Sequence, residues 1–127
     1  MITEDFCSFE VAKLLKKKGF DELCIFKYNS EGVRMKAGVA IDEWQNSELD
    51  DDECSCVSLQ MAMKWLRGKH NIFIQISAVL QDQPFGLHYR PSIQDYHAYA
   101  RYDNFNEYVT YEEAIEAALK YSLENLI

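Results

Sequence analysis

Residues 58–76 read SLQMAMKWLRGKHNIFIQI, and the fold is decided by how that stretch is parsed. Ser58 can set its hydroxyl against the free amides of a first helical turn, so it is an N-cap candidate. Leu59, Ala62, Met63 and Leu66 recur at i, i+3, i+4 and i+7 and form one apolar stripe, which Met61 and Trp65 widen. Arg67 and Lys69 bring positive charge to the end where the helix dipole favours it. Gly68 is expected to end the helix in the left-handed conformation. The period then drops to two. Ile72, Ile74 and Ile76 alternate with Phe73, Gln75 and Ser77, a strand with one strongly apolar face. Met61, Met63 and Trp65 are read as core in preference to an adaptable Met-rich groove.

The flanking sequence repeats the theme. Ser8 caps a helix over 9–18 whose buried side is Val11, Ala12, Leu14 and Leu15, with Lys16, Lys17 and Lys18 in the last turn and Gly19 as the stop. Leu23 to Tyr28 reads as a strand, Asn29-Ser30-Glu31-Gly32 as a turn, and Val33 to Ile41 as the return strand, with Gly38 marking a bulge. Downstream, Gln81 to Pro84 is a turn, Phe85 to Arg90 alternates as a hairpin partner, and Pro91 is expected to end it. Residues 91–108 are rich in tyrosine and carry no clear period. Thr110 and Glu113 make a capping box with Val109 set to staple onto Ala114. Ala114, Ile115, Ala118, Leu119 and Leu123 follow at helical spacing. The three helix starts echo one another as SFEVA (8–12), SLQMA (58–62) and TYEEA (110–114), which shared capping physics explains as well as duplication does. The expected architecture is α+β in the order α-β-β-α-β-β-α. About four mostly antiparallel strands carry three helices packed on one face, in a single domain over 1–127.

Composition narrows the function. Apolar residues make up 48% of the 127, which argues against disorder. Thirteen basic and 21 acidic residues leave a net charge of −8. That balance opposes direct nucleic-acid binding, which needs cations to displace phosphate counterions, and opposes docking on anionic lipid. It suits solubility, or a basic protein surface as partner. No apolar run reaches membrane-span length, and MITEDFCSFE lacks the basic and apolar regions of a signal peptide. A cytoplasmic setting follows as an expectation, with Cys7, Cys24, Cys54 and Cys56 as reduced thiols.

Two stretches hold the candidate functional residues. In His88–Tyr102, HYRPSIQDYHAYARY, the residues His88, Arg90, Tyr96, His97, Tyr99, Arg101 and Tyr102 combine aromatic faces with guanidinium groups. Such a set suits a protein hot spot or a nucleotide-like ligand. Half-buried edge tyrosines with wet hydroxyls would look the same in sequence. In DEWQNSELDDDECSC (42–56), the acids Glu48, Asp50, Asp51, Asp52 and Glu53 crowd one short run, which reads as a solvated loop or as an acidic surface that mimics nucleic acid. The run lacks the glycine of a calcium loop. Cys54 and Cys56 form a C-x-C pair with no second chelating pair, so neither a metal nor a cofactor is expected. No nucleophile elbow, P-loop or dinucleotide fingerprint is present, and the adjacent acids Asp42-Glu43 and Glu112-Glu113 read as surface and dipole charge. No catalytic residue is assigned.

The opening MITEDFCSFEVAKLLKKKGFDE, the central LQMAMKWLRGKHNIFI and the closing YEEAIEAALKYSLENLI resemble a group of small proteins carried by phages and prophages of Bacteroides-type gut bacteria. Members of that group lead into the central helix through APTLQ, where this chain has Val57-Ser58-Leu59-Gln60 after Cys56. The group has no assigned activity, so the resemblance implies a phage-type accessory protein in the bacterial cytoplasm and transfers no residue role. The function expected is a non-enzymatic interaction protein with a host or phage protein as partner. The alternatives are a nucleotide-sequestering binder and an acidic nucleic-acid mimic. A second copy is a further partner, through an exposed sheet edge.

Overall fold

The computed structural model describes residues 2–38, 43–82 and 85–127. In chain order they form α1 (Phe9–Lys17), β1 (Phe26–Tyr28), β2 (Arg34–Lys36), a 3-10 turn (Asn46–Glu48), β3 (Cys54–Ser55), α2 (Leu59–His70), β4 (Ile72–Asp82), β5 (Phe85–Asp95), β6 (Ala100–Tyr102) and α3 (Tyr111–Asn125). The class is α+β, and the expected order of elements holds in outline, with three strands in place of two on each side of α2. The strand count does not. Among the described residues there are six strands in two antiparallel sheets, ordered β2-β1-β3 and β4-β5-β6, where one sheet of about four was expected. The extra strands come from the two stretches without a hydropathy period: β3 pairs with the distant β1, and β6 folds back on the end of β5 through a short loop. The chain divides into two compact units, Met1–Ala62 and Met63–Ile127, with the boundary inside α2.

In the first unit, the Ser8 hydroxyl accepts from the Val11 amide at 3.2 Å and α1 closes through Gly19 at φ +97°, as its sequence requires. Val11, Ala12 and Leu15 are buried, and α1 packs on β3. The β1–β2 turn is tied by Asn29, whose Oδ1 accepts from the amides of Glu31 and Val33. Gly32 there has φ +78°, and a Cβ on it would lie 2.8 Å from the Phe9 ring, so both backbone and packing demand glycine. The strands are shorter than expected. Cys24 lies outside β1 and pairs with Trp44 in an isolated bridge, and β2 is confined to 34–36, while 39–41 of the expected return strand lie outside the described residues. Past Lys36 the ladder adds a bond from the Ala37 amide to the Ile25 carbonyl at 2.7 Å, so the local period overstates how far regular strand runs.

In the second unit, α2 runs through Gly68 to His70, and Asn71 at φ 55° takes the left-handed position that Gly68 was expected to fill. Asparagine tolerates that conformation, and the two further residues carry the chain directly into β4. Leu66 is fully buried, whereas Met61, expected in the core, is 39% exposed. Hairpin β4–β5 pairs without interruption from Ile72↔Asp95 to Asp82↔Phe85, and the connecting 83–84 lie outside the described residues. Pro91 does not end β5. Tyr89 exchanges both backbone bonds with Tyr108, so the nitrogen of Pro91, two residues on, also points away from β4. Its missing N–H therefore removes no β4 bond, and β6 joins only from Ile93 onward. Ile72, Pro91 and Ile93 are buried on the face against α3. Farther along that face, Leu80 and Phe85 are 64% and 78% exposed. Thr110 caps α3 through the Glu113 amide at 3.1 Å, but Val109 is exposed and staples nothing.

Candidate functional site

The β5–β6 loop is built on one buried carboxylate. Asp95, 6% exposed, accepts from the amides of His97 at 3.0 Å and Ala98 at 3.2 Å, closing a turn that its partner Ala100 completes. The Tyr96 amide donates to the Asn71 carbonyl at 3.0 Å, so the loop is also tied to the end of α2. What this frame displays is aromatic. Tyr96 is braced edge-on against Phe73 at 5.2 Å and donates its hydroxyl to Gln94, yet stays half-exposed. Tyr99 is 93% exposed and holds φ 55°. A non-glycine residue there costs about 1–2 kcal/mol, and its ring recovers nothing by burial. His97 is exposed beside them.

The other four candidates separate by sheet face. Register places His88, Arg90 and Arg101 on the face opposite α3, with Phe73 and Gln75, because they pair with Val79, Ser77 and Gln94. Tyr102 pairs with Ile93 on the α3 face and packs against Tyr121 at 5.6 Å. It is a packing residue, as an edge tyrosine can be. Both guanidinium groups face local carboxylates: Arg90 binds Glu107, and Arg101 lies 3.4 Å from Asp103. A phosphate arriving at either would have to displace an acid already there.

Where the loop meets the end of α2, a cleft of about 400 Å³ is lined by Lys69, His70, Asn71, Asp95 and His97 among others. His70 stacks edge-on against Trp65 at 4.9 Å, and burial pushes its pKa below the ordinary value. Lys69 reads in the sequence as helix-end charge, and His70 stands there without a second ligand at chelating spacing, so neither is marked as a site residue. Only the pairing of Ile72 with Asp95 brings them beside His97. These groups set an ammonium and two imidazoles beside a carboxylate that already serves the loop's own amides, a mixed polar set suited to a partner's polar side chain.

The acidic run is ordered. Lys16 Nζ donates to the backbone carbonyls of Asp50 at 2.6 Å and Glu53 at 2.7 Å. Glu53 pairs with Lys27 at 2.9 Å, and that hydrogen bond holds its carboxyl below the usual range. Glu48, Asp50, Asp51 and Asp52 remain exposed. Behind them Asn46, 4% exposed, donates to the Phe20 carbonyl at 2.7 Å and accepts from the Ser55 amide at 2.8 Å. Nothing in the local sequence marks this residue, since both partners are backbone groups outside its own turn.

All four cysteines are free thiols. Burial pushes Cys24 and Cys54 up to about 11 and raises Cys56 as well, so these thiols stay protonated at neutral pH and are poor nucleophiles. Among the described residues, no three His, Cys, Asp or Glu side chains are placed to hold a metal ion. No helix among them is long and apolar enough to cross a membrane. No protein-family model, no curated protein and no solved structure matches the chain.

Proposed function

We propose that this is a non-enzymatic interaction protein, a phage-type accessory factor of the bacterial cytoplasm, that grips a protein partner with its β5–β6 loop. The observation that carries the reading is Tyr99, an almost fully exposed aromatic on a left-handed residue of a loop tied down at Asp95 and Asn71. Backbone strain persists only where the surroundings impose it, and it concentrates at binding loops. Tyr96 and Tyr99 bring large rigid rings with few torsions to immobilise, which is what interface anchors need. The carboxylates on Arg90 and Arg101 argue against the nucleotide-sequestering reading. The test compares immobilised wild-type chain with a Tyr96→Ser/Tyr99→Ser double variant in capture from bacterial lysate, read by mass spectrometry. The reading expects a partner retained by wild type and lost by the double variant. A partner retained equally by both would overturn it.

The acidic-mimic reading has its own support in the exposure of Glu48, Asp50, Asp51 and Asp52 on a loop anchored by Lys16. A partner lost on Asp50→Lys/Asp51→Lys/Asp52→Lys, and kept by the tyrosine variant, would move the function to that surface.

A further inference from the structure

Strand β4 has an outer edge that pairs with no other strand among the described residues, and its position in the register says what that edge offers. Tyr89 gives both its backbone groups to Tyr108, so its partner across the ladder, Ala78, points its own N–H and C=O away from β5. By alternation, Ile72, Ile74, Ile76, Leu80 and Asp82 do the same. The outer half of the strand is open on both faces: Gln75, Ser77, Ala78, Leu80 and Asp82 are all exposed. Proteins that stay single blunt such edges with charge, proline, a bulge or shortness. The other edge strands here follow that rule. β2 is three residues long with Arg34 and Lys36, and β6 is three residues long with Arg101. β4 is eleven residues, IFIQISAVLQD, whose register with β5 is unbroken and whose one charge, Asp82, stands at its end.

We propose that the outer edge of β4 pairs antiparallel with β4 of a second copy, about a two-fold axis at Ala78. This does not rest on the function proposed for the β5–β6 loop. With Ala78 opposite Ala78 of the other copy, Ile76 faces Leu80 and Leu80 faces Ile76 across the axis, and Gln75 faces Gln81 on the opposite side. The smallest side chain of the stretch then sits where two identical residues meet. The exposed Leu80 of each hairpin is delivered to the apolar base of its neighbour, in continuity with the buried row at Ile72 and Ile93. Two chains of net charge −8 repel overall, so a contact between copies needs a strip that brings no like charges together. The β4 edge carries none before Asp82, and the two-fold sets Asp82 opposite Ile74 and not opposite its own copy. A basic peptide would find no carboxylate along the edge before Asp82. The join makes one sheet from the two copies' β4–β5–β6 sheets and presents the β5–β6 loops at its two ends.

The test is the mass of the full chain in solution by light scattering across a hundredfold range of concentration. The expected result is twice the 14.8 kDa chain mass at the upper end. Association should strengthen with added salt as the repulsion between copies is screened. Ala78→Pro removes only an outward N–H and no β5 bond, so it should fold with an unchanged circular dichroism spectrum and weaken association at least tenfold. Ala78→Cys should cross-link into dimers on oxidation, while Asp82→Cys, opposite Ile74 and far from its own copy, should not. A chain that stays at its single mass throughout overturns the proposal, including one whose edge captures a foreign extended peptide instead. A dimer indifferent to Ala78→Pro, or one cross-linked equally by both cysteine variants, does the same.

Discussion

Replacing Asn46 with alanine should destabilise the first unit out of proportion to the few atoms removed. The side chain is 4% exposed and makes two hydrogen bonds, to the Phe20 carbonyl at 2.7 Å and from the Ser55 amide at 2.8 Å. Deleting it leaves a buried donor and a buried acceptor without their partners, and each orphaned group costs about 1–3 kcal/mol. The carbonyl keeps a second lone pair and can turn toward water, so its share falls at the low end of that range. The Ser55 amide sits in a fully buried residue and has no such relief. The sum is about 2–4 kcal/mol. The assay is urea unfolding followed by Trp44 fluorescence in a Trp65→Phe background, because Trp44 bonds Cys24 through both backbone groups and so reports on the first unit. Asn46→Asp keeps the acceptor for Ser55 but turns an oxygen on the Phe20 carbonyl, so it should lose nearly as much as alanine. A midpoint shift worth less than about 0.5 kcal/mol in both variants, well under the cost of one unsatisfied buried group, would show that Asn46 does not hold Phe20 and Ser55 together.

Three further outcomes follow from the same geometry. Gly32→Ala should cost about 1–3 kcal/mol from the left-handed backbone and the Phe9 contact, and a Phe9→Ala background should remove the steric share, read as non-additive melting shifts. Glu53 has its folded pKa lowered by Lys27, so the stability it contributes is present above the ordinary carboxylate range and is lost as pH falls through the folded value. Thermal melts from pH 6 to 2 should therefore show a shallower acid loss in Glu53→Gln than in wild type. His70 has its folded pKa lowered by burial, so below about 6.5 the unfolded chain binds the extra proton and stability declines. An NMR titration should place its midpoint below 6.5, and His70→Gln should remove that part of the slope; a midpoint at or above 6.5 counts against it.

Much of the architecture was legible because it rests on neighbours in sequence. All three helices begin where a hydroxyl cap can reach an amide three residues on: Ser8 to Val11, Ser58 to Met61 and Thr110 to Glu113. That bond involves one turn of chain and needs no tertiary partner. The apolar stripes of α2 and α3 and the alternation of β4 are equally local, so the α+β class and the order of elements could be read directly. The echo among the three helix starts has the same cause, since each of them does carry the same cap.

What the tertiary structure decided is the pairing, and pairing joins residues that no window of sequence contains. Pro91 reads as a strand end, and it is one only if its nitrogen faces a partner. Tyr108 turned that nitrogen away from β4, and β5 ran on to Asp95. Cys54 and Ser55 read as loop until β1 supplied an edge for them. Arg101 and Tyr102 are adjacent in sequence, and the pleat sends them to opposite faces, one to a carboxylate and the other to Tyr121. His97 meets Lys69 and His70 only because Ile72 pairs with Asp95. Caps and periods were set within single turns of chain, so sequence alone determined them; the bond from Tyr96 to Asn71 that ties down the loop displaying Tyr96 and Tyr99, and the register that leaves the outer edge of β4 bare, exist only once the strands have paired.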